Sequence, residues 1–299
     1  MIAEAAPSRG RVGVWILGAR PRTLVAAIVP VALGAASVGR SAIDVPRTLL
    51  ALVVAMGLQI GVNYANDYFD GVRGVDTPAR LGPPRLVASG LAARQDVALA
   101  ACVSVAVAVV AGFVLALLTS PWLLVFGAVA ILALALYSGG PRPYAGRGLG
   151  EVAVFLFFGV VATAGTAYVQ RLHIPPASWW LAASAGLLAC ALLMANNLRD
   201  IPTDREAGKR TLAVRLGEQR SRVLLVATVV TALLLPVLGA AVGALPRLAI
   251  ASLAASPLAI RPLRIAMTAR GRRLVGSLAG LARLDLVFAA LLTALLLAS

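Results

Sequence analysis

Long apolar runs, cut at intervals by short polar or Pro/Gly-containing breaks, dominate this chain. Residues 152–170 and 223–246 carry no charge, and 97–141 is an uncharged run long enough for two helices, broken at Thr119-Ser120-Pro121. A bilayer-crossing helix needs about 20 predominantly apolar residues. The pattern therefore predicts nine spans, at about 23–39, 47–66, 97–118, 121–138, 151–170, 178–198, 223–243, 247–265 and 279–298. Trp15, Arg20, Pro21 and Arg22 read as an interfacial lead-in, and Pro30 falls inside the first span. A proline is tolerated there because neighbouring helices can satisfy the freed carbonyl. The eighth span is the weakest, since Pro257 and Arg261 interrupt it. The expectation is an all-α membrane bundle forming one domain over 1–299.

Two stretches break the pattern by placing polar residues where an apolar run should end. Asn63, Asn66, Asp67, Asp70 and Asp76 follow the second run; Asn196, Asn197, Asp200, Asp204 and Glu206 follow the sixth. Together they hold six of the 12 acidic residues. Asp67 and Asp200 are 133 positions apart, each after an even-numbered span, which suggests a parallel duplication of a four-helix unit plus one helix.

Composition supports the membrane reading: 60% of residues are hydrophobic, 13% are charged, and the mean hydropathy is +0.91. The net charge of +15 would suit a nucleic-acid binder, but its distribution does not. With a cytoplasmic N-terminus, 23 of the 27 basic residues fall in inside segments, leaving only Arg40, Arg47, Arg171 and Arg247 outside. This is the positive-inside bias, and with nine spans it sets the C-terminus outside. A multi-pass plasma-membrane protein with its acidic loops on the cytoplasmic side follows, without a nucleic-acid partner. No cleavable leader is read in the first twenty residues. Cys102 and Cys190 lie inside apolar runs and His173 stands alone, so no disulfide framework or zinc site is expected.

On a helix, Asn63, Asp67 and Asp70 share one face through spacings of four and three, as do Asn196, Asp200 and Asp204 through spacings of four. Clustered carboxylates repel one another and lose hydration, so they stay ionised only beside compensating cations. All-oxygen donors suit a hard divalent ion, Mg²⁺ in particular, which takes one or two carboxylates plus substrate phosphates. Arg73, Arg80, Arg85, Lys209, Arg210 and Arg215 add positive charge in the same loops. Metal and basic donors beside an apolar interior fit a lipid with a diphosphate head, an isoprenyl diphosphate.

The paired motifs Asn63-x-x-Asn66-Asp67-x-x-Asp70 and Asp200-x-x-x-Asp204 resemble those of the UbiA-type intramembrane prenyltransferase superfamily, whose members have nine helices. Ala19-Arg-Pro-Arg-Thr-Leu24, Asn66-Asp-Tyr-Phe-Asp-Gly71, Gly139-Gly-Pro-Arg-Pro-Tyr144 and the long run from Asn197 to Gly217 are most similar to members that use 1,4-dihydroxy-2-naphthoate. The resemblance implies Mg²⁺ held by Asp67, Asp70, Asp200 and Asp204, with Asp76 standing in where the pattern has an acid and this chain has Gly74. It also implies a substrate site including Asn63, Asn66, Arg73, Arg80, Arg85, Arg142, Tyr144, Asn197, Lys209 and Arg210. Lys209 and Arg210 would neutralise the diphosphate, Arg85 or Arg142 would take the acceptor's carboxylate, and Tyr64, Tyr68, Tyr137 and Tyr144 are candidates to shield an allylic cation. Other acceptors of the superfamily, namely 4-hydroxybenzoate, homogentisate and haem, stay open. A cation-coupled transporter is the rival from another class; it would place its acids near the bilayer midplane. Arg283 and Asp285 stand two apart in the last span and are expected to lie outside the site.

Overall fold

A computed structural model describes residues 10–74 and 82–299, of which every regular element is helical. Two helices, α1 (Arg11–Ala19) and α2 (Pro21–Ala36), are joined at Arg20, whose left-handed backbone (φ 54°) bends the pair by 53°. A non-glycine residue rarely adopts this conformation. Pro21 then opens α2, where its missing N–H costs nothing. The lead-in before the first expected span is thus a short helix.

The long helix α3 (Val45–Val72) starts at Asp44, whose Oδ1 accepts the Arg47 amide at 2.9 Å. It ends six residues beyond the position expected from hydropathy. Then come α4 (Arg94–Leu118) and α5 (Trp122–Ser138). The fifth run is continuous from Gly150 to Arg171 but changes pitch: α6 (Gly150–Val154), a π-helical stretch Phe155–Ala164, and α7 (Gly165–Arg171). Next, α8 (Pro176–Glu206) overshoots its expected end by eight residues, and α9 (Leu212–Ala241) is broken at Gly217 (φ 77°, ψ 169°). The eighth run is a 3₁₀ segment, Arg247–Ala255, bent by 48° against α10 (Pro257–Thr268), with Pro257 and Pro262 explaining the interruption. The last helix is α11 (Val275–Leu297).

Six helical stretches are long and apolar enough to cross a membrane, eight if each bent pair counts as one, and α5 is a shorter apolar helix of 17 residues. This is the architecture of a multi-pass membrane protein. α3 packs along α4 and α8 along α9. The core lies where α2, α8, α9 and α11 meet, with Leu33, Leu181, Leu188, Leu225, Leu284 and Phe288 at 2% exposure or less. By contrast Leu117, Trp122 and Val110 are 65–72% exposed on α4 and α5, a surface suited to lipid tails rather than water.

Glycines permit the closest crossings. A Cβ on Gly159 would stand 2.7 Å from both the Ala182 carbonyl and the Gly186 Cα, so the π-helical stretch and α8 touch backbone to backbone. Gly34 of α2 likewise abuts Thr163 and Thr166.

Candidate functional site

The overshoot of α3 and α8 carries the acids into the same end of the bundle. Asn and Asp are weaker helix formers than Leu but do not break a helix; what ends at a membrane surface is hydropathy, not the i→i−4 ladder. Asn63, Asn66, Asp67 and Asp70 therefore sit on the last three turns of α3, and Asn196, Asn197, Asp200 and Asp204 on the last turns of α8.

The carboxylates of Asp67, Asp70 and Asp200 have definite partners. Asp67, 1% exposed, accepts the backbone amides of Leu86 and Val87 at 2.9 and 3.0 Å, so it fixes the turn that begins at Leu86. Buried Asp70 takes Lys209 Nζ at 3.1 and 3.2 Å on its two oxygens, with an Arg85 nitrogen at 3.9 Å. Asp200 is held by its neighbour Arg199, whose Nε and terminal nitrogen both donate at 2.6 Å. Asp204 is half-buried, and its carbonyl accepts the Lys209 amide at 2.8 Å.

The two acidic ends are stitched together. Lys209, just beyond α8, reaches Asp70 on α3. A Cβ on Gly82 would lie 3.1 Å from the Arg199 guanidinium carbon, so residues 82–87 touch both helices, through Gly82 on one side and Leu86 and Val87 on the other. Among the described residues, no three Asp, Glu, His or Cys side chains converge as a metal-binding group; Lys209, Arg85 and Arg199 stand among the carboxylates instead. Positive charge is what these buried acids demand. A hard divalent ion would meet the same demand, and the all-oxygen donors of these carboxylates suit it in kind. Asp76 and Arg80 lie outside the described residues.

One helix turn from the acids begins a cavity of about 920 Å³. Arg20, Thr23, Gln59, Asn63, Asn66 and Asn196 line its polar end, and the rest of its wall is mainly apolar. The polar end is tightly connected. Asn63 Nδ2 donates to the Ala19 carbonyl at 2.8 Å and to Thr23 Oγ1 at 3.0 Å, Gln59 donates to Thr23 Oγ1 at 3.2 Å, and Ser138 Oγ donates to Asn66. Arg20 is the one charged side chain in the described lining. Hydropathy reads it as an interfacial anchor; its left-handed backbone at the α1–α2 break turns it inward, which the adjoining Pro21 signals only in hindsight.

The remaining candidates divide. Tyr137 and Tyr144 line the cavity as an edge-to-face pair 5.4 Å apart, and the Tyr144 hydroxyl donates to the Ala133 carbonyl. Burial pushes the Tyr144 phenol up to about 12. Tyr64 instead bonds the Trp15 carbonyl, and Tyr68 packs edge-on against Phe69. Arg73 donates to the carbonyls of Ser138 and Gly140 and lies over the Phe69 ring, tying down the α5–α6 connector rather than facing the cavity. Arg142 and the Arg210 side chain are exposed and line no part of the cavity. Asn197 donates to buried Glu151 at 2.9 Å, a partner that spacing did not reveal. Arg283 is exposed and Asp285 is buried in the bundle.

The UbiA prenyltransferase family matches this chain over residues 27–274. It is 53% identical over 211 residues to a 1,4-dihydroxy-2-naphthoate octaprenyltransferase of Mycobacterium tuberculosis, covering 70% of this chain and 72% of that one. The Mycobacterium leprae protein of the same name is 50% identical over 258 residues, 84% of each chain. In fold, a UbiA homolog from Archaeoglobus fulgidus bound to GPP and Mg²⁺ superposes with a TM-score of 0.65 at 16% identity, over 96% of this chain and 100% of that one.

Proposed function

The chain belongs to the UbiA prenyltransferase family, and on that premise we propose that it transfers a polyprenyl group from an isoprenyl diphosphate to 1,4-dihydroxy-2-naphthoate, releasing carbon dioxide and diphosphate to give demethylmenaquinol, the reduced form of demethylmenaquinone. The observation that carries this reading is the junction of two unlike environments: carboxylates and cations on the last turns of α3 and α8, opening within one turn onto an apolar cavity. A diphosphate belongs in the first and a prenyl tail in the second. The names of the two mycobacterial relatives support the acceptor.

The chemistry asks little covalent work of the protein. The allylic carbon–oxygen bond breaks as the diphosphate leaves, the electron-rich ring carbon that bears the carboxylate bonds to the allylic carbon, and loss of that carboxylate returns its electron pair to the ring. Lys209 and Arg85 lie beside Asp70, placed to meet charge developing on the leaving oxygens. A divalent cation, when bound by Asp70, Asp200 and Asp204, supplies further charge neutralisation to the diphosphate; a relative of the same fold binds GPP and Mg²⁺. Arg20 offers its guanidinium to the acceptor's carboxylate, since an anion entering an apolar cavity needs a counter-charge and Arg20 is the one at hand. Tyr137 and Tyr144 present ring faces and edges toward the allylic unit and exclude water from it.

Membrane placement follows the charge bias. Counting each bent pair as one span and α5 as another gives nine, with the N-terminus and the acidic site on the cytoplasmic side of the plasma membrane. The acids' position at helix ends speaks for a diphosphate site and against a midplane ion pathway.

The test is incubation of purified protein with a radiolabelled isoprenyl diphosphate and candidate aromatic acids, with and without Mg²⁺. Metal-dependent transfer to 1,4-dihydroxy-2-naphthoate is expected. Transfer to 4-hydroxybenzoate alone would reassign the acceptor, and transfer to none would sink the enzyme reading.

A further inference from the structure

Two glycines in the cavity wall have no packing reason to be glycine. Gly127 of α5 and Gly165 at the start of α7 both have helical backbone, and a Cβ built on either meets nothing within 4 Å. Glycine weakens a helix relative to alanine, and elsewhere in this fold it is repaid by close contact, as at Gly34, Gly159 and Gly186. Gly127 and Gly165 have no such repayment. Gly127 is half-buried and lies at helical spacing with Leu123, Ile131 and Leu134, all of which line the cavity and are half-buried as well.

The two positions share one depth. Ser138, bonded to Asn66, marks the polar end on α5; Gly127 is eleven residues further along, about 17 Å at the α-helical rise. Thr23, bonded to Asn63, marks the same end on α2; Gly34 is again eleven residues on, and it abuts Thr163 and Thr166, which flank Gly165. The missing side chains thus leave the cavity open on two walls about 17 Å from the site where the diphosphate would sit.

We propose that Gly127 and Gly165 set the length of prenyl chain this protein accepts, by leaving unobstructed the level that a longer tail must pass. This rests on the prenyl-transfer reading above. A five-carbon unit with carbon–carbon bonds of about 1.5 Å extends roughly 5 Å, so about three units fit before the glycine level and longer tails cross it.

The experiment compares wild type with Gly127→Leu, Gly127→Phe, Gly165→Leu and Gly165→Phe, measuring kcat/KM for all-trans diphosphates of two, three, four and more isoprene units with one acceptor. Two- and three-unit substrates should stay within about twofold of wild type, while longer ones fall at least about tenfold, more for Phe than for Leu. The short substrates report folding of each variant in the same assay. An equal loss at every chain length, or no loss for long chains in any of the four variants, overturns the proposal. Absence of transfer by wild type itself would instead overturn the prenyl-transfer reading, so the two failures are distinguishable.

Discussion

Lys209 holds both oxygens of Asp70; a divalent ion bound by Asp70, as proposed above, would need those same oxygens, so the lysine and the metal would compete. The effect of removing the lysine can be sized. At 3.1 Å the pair attracts by about 5 kcal/mol in an effective dielectric near 20. Loss of hydration on forming the pair, with Lys209 27% exposed, leaves a net of about 1–2 kcal/mol. Arg85, at 3.9 Å, keeps part of the positive charge in place. In Lys209→Met, which preserves most of the stem, metal binding without substrate should tighten by about 5–30-fold. Turnover should move the other way, falling by about 10²-fold, because the same ammonium meets the leaving diphosphate. Titration calorimetry with Mn²⁺ on the diphosphate-free protein reads the first effect and a transfer assay the second. Unchanged or weaker metal binding in Lys209→Met would refute the competition, whatever happened to turnover.

Asp67→Ala should cost about 2–4 kcal/mol in stability, since it strips the acceptor from two backbone amides, and a lowered melting temperature would show it. Asp200→Asn leaves Arg199, 3% exposed, without its carboxylate and should cost about 3–5 kcal/mol. Asp204→Asn, at a half-buried position, should abolish turnover at a much smaller stability cost, so comparing melting and transfer in the two variants separates structural from chemical loss. Arg20→Gln should raise KM for the aromatic acid by about 10–100-fold and leave KM for the prenyl diphosphate within about twofold. An equal rise in both would remove Arg20 from acceptor binding.

The apolar pattern carried the fold class and most of the helix positions, because hydropathy reports burial in lipid directly. It misplaced the ends of α3 and α8, where polar residues look like the exit from a membrane although the backbone continues as helix. The spacing of Asn63, Asp67 and Asp70 placed the acids at one end, but not their partners: that Asp67 would be taken by backbone amides depends on a loop returning from twenty residues away. Arg20 was hidden for a related reason. Its direction comes from a single left-handed residue, which local charge cannot report. Arg73 was legible as basic and close to the acids; that it binds carbonyls of the α5–α6 connector is a tertiary fact.

The pitch change at Phe155–Ala164 bears on where the chain can vary in length. In α3 or α8 the loss or gain of one residue before the acids would turn them by about 100°, aiming Asp70 or Asp200 out of the site. A π-helical stretch holds an extra residue per turn, and tightening to ordinary α pitch can absorb a deletion locally. Single-residue gaps among homologous chains should therefore collect in 155–164 and in the loops, and spare 51–70 and 186–204. The molecule holds its chemical register on two helices and keeps its slack on a third.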